Sequence, residues 1–417
     1  MRPATIVCNA RHSRQSRLRS ALFRRCGGMR SALVGVVGRS HMRSRAALSA
    51  APCTVPPTPL TGGRPNLTRP GVCYAGSVLT RSHTYVRRRR DEAERMDEAV
   101  TTPPTFKRSF LDRIYCVEFS PYEWSQHLIC IALTKEIVVG TVRFQDEDDA
   151  VEDIAYNPIR TFHHDARPHA IAWSPETSLS IVPKILTFCV AGSDFKIRLY
   201  NSNLNDINMY EILEGHKDYT NAISYEPEGE LLASVSDDHT CKLWAVKENQ
   251  KCVSTFFLTS PGISVCWHSE ESGKLLVAEK NGLIRMYNVR SQQAIMSLDS
   301  GAVPLTAADW GPNPLKVVSM AAGELLLWDV SRPSRPLDER TLHVEGGLTV
   351  KISHANENLV SSIGWPDNLL KVFNLRSKVV VLCGKVKLIG GMTWHYKLPY
   401  VCAGSDRDLC FWRININ

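Results

Sequence analysis

The sequence predicts an all-β protein: a ring of seven four-stranded blades, a β-propeller, preceded by an extension of different composition. Three observations carry this expectation. A short apolar strand ending on an aromatic recurs as KIRLY (196–200), CKLW (241–244), LIRMY (283–287), LLLW (325–328), LLKVF (369–373) and LCFW (409–412). The terminal aromatics lie 44, 43, 41, 45 and 39 residues apart, the period of a propeller blade. An acid stands six residues before four of these aromatics (Asp194, Asp238, Asp367 and Asp406), and Asn281 takes that place before Tyr287. A second marked strand, such as CVEFSP (116–121), AIAWSP (170–175), AISYEP (222–227) or AADWGP (307–312), lies upstream in each unit. Between the two runs a strand such as LLASVSDD, joined by Gly, Asp and Ser turns.

The extension comes first in the chain. Residues 1–95 hold nineteen arginines, no lysine and three acids (Asp91, Glu92 and Glu94), a net of +16, so the total of +8 leaves −8 for residues 96–417. An Arg- and Ser-rich, acid-poor leader has the composition of a mitochondrial transit peptide, and RRRR (87–90) that of a nuclear-import patch. The absence of lysine beside so many arginines favours a third reading, nucleotide bias in a disordered stretch ahead of a start at Met96. The mildly acidic body argues against binding to a phosphate backbone, so no direct nucleic-acid contact is expected. The longest apolar run of the leader, ALVGVVG (32–38), is too short to cross a bilayer, and no membrane insertion is expected.

The units follow in order. The first is degenerate: EIVVGTVRF (136–144) fits the closing strand, but Gly140 takes the aromatic position and no acid precedes it. The sixth is weak at its first strand, near TVKISHANENL (349–359). The chain ends soon after Trp412, before the last blade has a fourth strand. Residues near 104–110 are expected to supply that strand and remove two free edges, which puts the propeller at residues 100–417.

The third unit also holds EGHKDY, with His216 upstream of Asp238 and Trp244. This resembles the WD repeat, in which a histidine, a hydroxyl residue, the turn aspartate and the tryptophan form one hydrogen-bonded set. His216, Ser224, Asp238 and Trp244 are therefore expected to be structural, since a buried aspartate needs charge-assisted partners to offset desolvation.

Reactive constellations do not emerge. There is no G-x-S-x-G, P-loop, G-x-G-x-x-G behind a strand or H-E-x-x-H, and the thirteen cysteines include no C-x-x-C. No catalytic residue, cofactor or metal is expected. His163 and His164 are adjacent in RTFHH, and neighbours on a strand point to opposite faces, so they do not chelate one metal. The acidic run at 146–149, followed by Glu152 and Asp153, reads as a solvated loop or a contact for a basic partner.

Further along, RTFHH, LEGHKDY, SPGISVCWH and LLVAEKNGLIRMYN resemble, in that order, the small WD-repeat nucleoporin family of the Y-shaped outer-ring complex of the nuclear pore. That resemblance implies a non-catalytic scaffold subunit, monomeric within a hetero-oligomer, that binds a large stalk nucleoporin and supports pore assembly and transport. It also implies a place at the nuclear envelope and, in animals, at the kinetochore. Candidate partner-binding residues are His163, His164, Arg167, Asp218 and Tyr219, because polar and aromatic loop residues suit a protein interface. Two other classes remain open. One is a substrate receptor of a cullin ubiquitin ligase, suggested by LWDVSR (327–332), with Arg332 one position late for that element; the other is an enzyme on a propeller body.

Overall fold

The computed structural model describes residues 101–147, 151–205, 208–247 and 250–415. The extension at 1–95, and Asp148 and Asp149 of the acidic run, lie outside them. Among the described residues, 28 strands form seven four-stranded sheets, the blades of a propeller, and the expected fold class holds. The innermost strands are Cys116–Phe119, Pro168–Trp173, Thr220–Tyr225, Gly262–Trp267, Leu305–Trp310, Gly347–Ile352 and Ile389–Trp394.

Burial follows position in the blade. Second strands such as Leu128–Ala132, Leu186–Gly192 and Tyr400–Ser405 are buried at every residue, because neighbouring blades cover both of their faces. Outer strands alternate or stay open, as Met209–Leu213 does, with only Leu213 buried. Seven apolar clusters lie between consecutive blades. At the junction of the first and last blades, Phe119 and Phe144 meet Phe411 at ring-centroid distances of 6.2 and 6.3 Å. Polar links join the same neighbours. The indole N–H groups of Trp173, Trp267 and Trp394 donate to the carbonyls of Glu118, Ser224 and Lys351 on the preceding inner strand, at 3.0, 2.9 and 3.2 Å.

Phe106–Ser109 is the fourth strand of the last blade, pairing with Asp408–Arg413 from Phe106↔Phe411 to Ser109↔Asp408. Lys107 reinforces the closure with a 2.7 Å ion pair to Asp408. Asp146 contributes from the first blade: it accepts from the Tyr400 hydroxyl at 2.7 Å and pairs with Arg413, so this end of the acidic run is a tie between blades, not a free loop. Deleting residues 1–109 is expected to expose Asp408–Arg413 as an edge and lower the melting temperature by more than about 5 °C relative to a chain starting at residue 101. Equal melting temperatures in differential scanning calorimetry would show that this strand adds nothing to closure.

Gly140 has a local cause. A Cβ there would sit 2.6 Å from the ring of Tyr156, which folds over the glycine from the outer strand Ile154–His163 and fills the space used by an aromatic elsewhere. The nine described cysteines are free thiols, six of them buried. Burial pushes Cys116 up to about 12 and Cys410 up to about 11, which leaves them as protonated, unreactive core groups.

Candidate functional site

In the third blade, the turn between Leu231–Ser236 and Thr240–Ala245 holds Asp238 under the loop that carries His216. Asp238 accepts from His216 Nδ1 at 2.9 Å, from the Lys217 and Thr240 backbone N–H groups at 2.9 and 3.0 Å, and from the Thr240 hydroxyl at 2.6 Å. The other ring nitrogen of His216 meets Ser234 Oγ at 2.7 Å, and Trp244 Nε1 donates to the same oxygen at 2.8 Å.

The hydroxyl in this set is therefore that of Ser234, and the expectation for Ser224 is corrected. Ser224 lies between Ile223 and Tyr225, both buried, so strand alternation turns its side chain away from them. Its carbonyl serves Trp267 instead. Burial opposes ionisation of Asp238, but its donors outweigh that and hold the carboxyl below its usual range; burial also lowers His216. Both carboxylate oxygens and both ring nitrogens are occupied, so nothing in the set is free to meet a substrate.

The other turn acids have individual solutions. Asp367 meets His343 Nδ1 at 3.0 Å, whose Nε2 meets Ser362 Oγ at 3.0 Å, a second set that the sequence reading missed. Its histidine lies 24 residues before the acid, against 22 in the third blade, and this spacing was the available signal. Asp194 has no histidine and takes Arg198 in a fork at 3.0 and 2.7 Å. Asp406 works through its backbone, donating to the Leu388 carbonyl and accepting from Ile114 N–H, at 2.8 and 2.7 Å.

The candidate partner residues divide. His163 is exposed and paired with Asp165 at 2.6 Å. His164 is 1% exposed, bound to the Tyr200 hydroxyl at 2.7 Å and lowered by burial to about 4, so it is a core residue and leaves the partner-binding set. Phe162 and His164 are buried while Thr161 and His163 are exposed, the alternation of an edge strand continued by one residue.

Arg167 and Tyr219 share one face with Asp218, which caps the Tyr219 N–H at 2.8 Å. Tyr219 is 39% exposed and packs on His169 and Phe195, each at 5.1 Å between centroids. Arg113 and Arg167 lie over Tyr115 at 5.1 and 6.0 Å. This face opens on the central channel, a cavity of about 620 Å³ lined by His169, Asn221 and Lys280 near its mouth. Deeper in the channel Glu118 and Lys351 stand 3.6 Å apart, and Asp309 accepts from the Ile352 N–H at 2.8 Å. Among the described residues no cluster of His, Cys, Asp or Glu could hold a metal ion.

A closed ring whose polar sets brace its turns, and whose loops form the accessible faces, defines a WD-repeat propeller. The family described as "WD domain, G-beta repeat" matches residues 208–245, from the outer strand of the second blade through the third strand of the third. Similarity to whole proteins extends further. The chain is 44% identical to Nucleoporin Nup37 of Homo sapiens over 308 residues, 72% of this chain and 94% of that protein. It is 43% identical to the Mus musculus protein over the same shares, and 36% identical to that of Drosophila melanogaster, over 73% of this chain and 95% of the relative. The chain belongs to the Nup37 family of nucleoporins.

Proposed function

We propose that this protein is a non-catalytic scaffold subunit of the nuclear pore complex, binding a large stalk nucleoporin within the Y-shaped outer-ring complex and so supporting pore assembly and nucleocytoplasmic transport. The observation that carries this reading is membership of the Nup37 family, with similarity over 94% and 95% of the human and fly relatives. The geometry supports it: the histidine and aspartate pairs most like an acid–base couple, His216–Asp238 and His343–Asp367, are consumed in bracing turns. What remains accessible is loop surface suited to protein contact. The partner-facing residues are His163, Arg167, Asp218 and Tyr219. The same face also presents Trp365, 58% exposed, in the turn between the second and third strands of the sixth blade.

Expressing residues 96–417 with a fluorescent tag tests the reading together with the dispensability of the extension. Signal at the nuclear rim, with outer-ring nucleoporins co-purifying, is expected. A diffuse signal with cullin adaptors co-purifying would replace the scaffold reading with that of a ubiquitin-ligase receptor.

A further inference from the structure

The residue immediately before each inner strand occupies an equivalent place around the channel mouth. In six blades its carbonyl accepts an N–H from just beyond the second strand: Ser193 to Arg167 at 2.8 Å, Asp237 to Tyr219 at 3.0 Å, Lys280 to Pro261 at 2.9 Å, and likewise at Pro304, Gly346 and Leu388. Tyr115 takes the place in the first blade, its N–H held by the Ala132 carbonyl at 2.8 Å. The occupants are thus Tyr, Arg and Tyr in blades one to three, but Pro, Pro, Gly and Leu in blades four to seven. Among these seven positions only those of blades one to three carry side chains able to hold a charged or aromatic contact, and the backbone clamp fixes where they start.

Those side chains lack the acids they would normally recruit. Arg113 and Arg167 both lie on the Tyr115 ring, and among the described residues neither has a carboxylate within ion-pair distance. Arg113 Nε is buried with no hydrogen-bond partner, and the polar neighbour of Arg167 is His169 Nε2 at 3.5 Å. Nearby acids are engaged elsewhere: Asp165 with His163, Asp194 with Arg198, and Asp237 with Asn221 at 2.8 Å. A guanidinium offers a planar fork of donors that matches a carboxylate, and an unmet buried donor is costly. Beside the fork, Tyr219 against Phe195 and His169 makes a rigid aromatic shelf, the kind of surface enriched at interface centres.

We propose that the channel mouth at blades one to three is the docking point for an acidic segment of the protein partner, with a carboxylate held by Arg113 and Arg167 and an adjoining apolar side chain on the Tyr219 shelf. This rests on the scaffold reading and names the chemistry of its partner. The steering charge makes docking salt-dependent, whereas the shelf contributes about equally at all ionic strengths.

The test measures binding of the full chain to the purified large stalk nucleoporin by calorimetry, at ~50 mM and ~200 mM NaCl. The double variant Arg113→Gln with Arg167→Gln is expected to bind about tenfold more weakly at low salt and to lose most of its salt dependence, while Tyr219→Ala weakens binding about equally at both. Arg332→Gln, in a loop away from the mouth, keeps the parent affinity, and unchanged melting temperatures exclude misfolding. Unchanged affinity and salt dependence in the double variant overturn the clamp while leaving the scaffold reading intact. Absence of binding by the unsubstituted chain overturns both. Loss of binding after phosphatase treatment of the stalk nucleoporin assigns the anion to phosphate and overturns the carboxylate.

Discussion

Asp238→Ala is expected to destabilise the protein by about 3 kcal/mol, because it strips a buried set of its only anion. Three donors, from His216, the Lys217 backbone and the Thr240 backbone, lose their acceptor, and the Thr240 hydroxyl loses a 2.6 Å bond. For a ring of this size the melting temperature should fall by roughly 6 °C. Couplings distinguish a shared network from independent contacts. Combining Asp238→Ala with His216→Ala should cost little more than either alone, whereas combining it with Asp367→Ala, which disables the separate set of the sixth blade, should be additive. Ser234→Ala should cost about 2 kcal/mol through the loss of its bonds to His216 and Trp244, and Ser224→Ala less than about 0.5 kcal/mol. Thermal denaturation decides: equal costs at the two serines, or additivity within the third-blade set, would refute the network.

Much of the fold was legible because each blade repeats the same physical demand. A closing strand must fill the junction with the preceding blade, so the aromatics Tyr200, Trp244, Tyr287, Trp328, Phe373 and Trp412 keep their spacing, and the tight turn ahead of most of them favours Asp or Asn. The missing fourth strand was legible for the same reason, since an unpaired edge has to be met from the other terminus. What escaped notice depended on which way a side chain points. Ser224 and Ser234 are both serines on strands near Asp238, and only alternation against Ile223 and Tyr225 tells them apart. His164 looked like loop surface because it sits beside exposed His163, although alternation from buried Phe162 puts it inside. The His343 set was hidden by its closing residue Phe373, which has no ring N–H to complete the pattern, and by a turn running from Trp365 to Asn368, one residue longer than that of the third blade. The channel-mouth belt emerges only once strand starts are known, because Tyr115, Arg167 and Tyr219 share a place in the ring rather than a motif.

Acid should destabilise this protein well above the range in which carboxylates titrate. His164 and His395, 1% and 0% exposed, are both lowered by burial to about 4 from an ordinary value of 6.5. His395 has a specific reason to stay neutral: its Nδ1 accepts the backbone N–H groups of Lys397 and Leu398 at 3.3 and 3.0 Å, and a proton there would face two donors. Well above pH 6.5 both rings are neutral whether the chain is folded or not, and they add no pH dependence. Between about 6.5 and 4 the unfolded chain takes up protons that the folded one refuses, so stability falls with falling pH, by about 2 kcal/mol per ring from pH 7 to pH 5. Burial lowers His127, His216 and His268 as well, and these act in the same direction. Glu118 and Glu226, raised by burial, act in the opposite direction at pH values above their ordinary value of 4.5 and offset part of this loss. The depressed carboxyls of Asp194, Asp238 and Asp367 lose their contribution only as pH falls below 3.8, through their folded values. The melting temperature should therefore drop by roughly 8 °C between pH 7 and pH 5. His395→Asn preserves an acceptor for the two N–H groups without a titrating ring, and is expected to remove close to half of that drop. A parent protein with the same melting temperature at both pH values, or a His395→Asn variant with an undiminished drop, would show that these buried rings do not govern the acid limb.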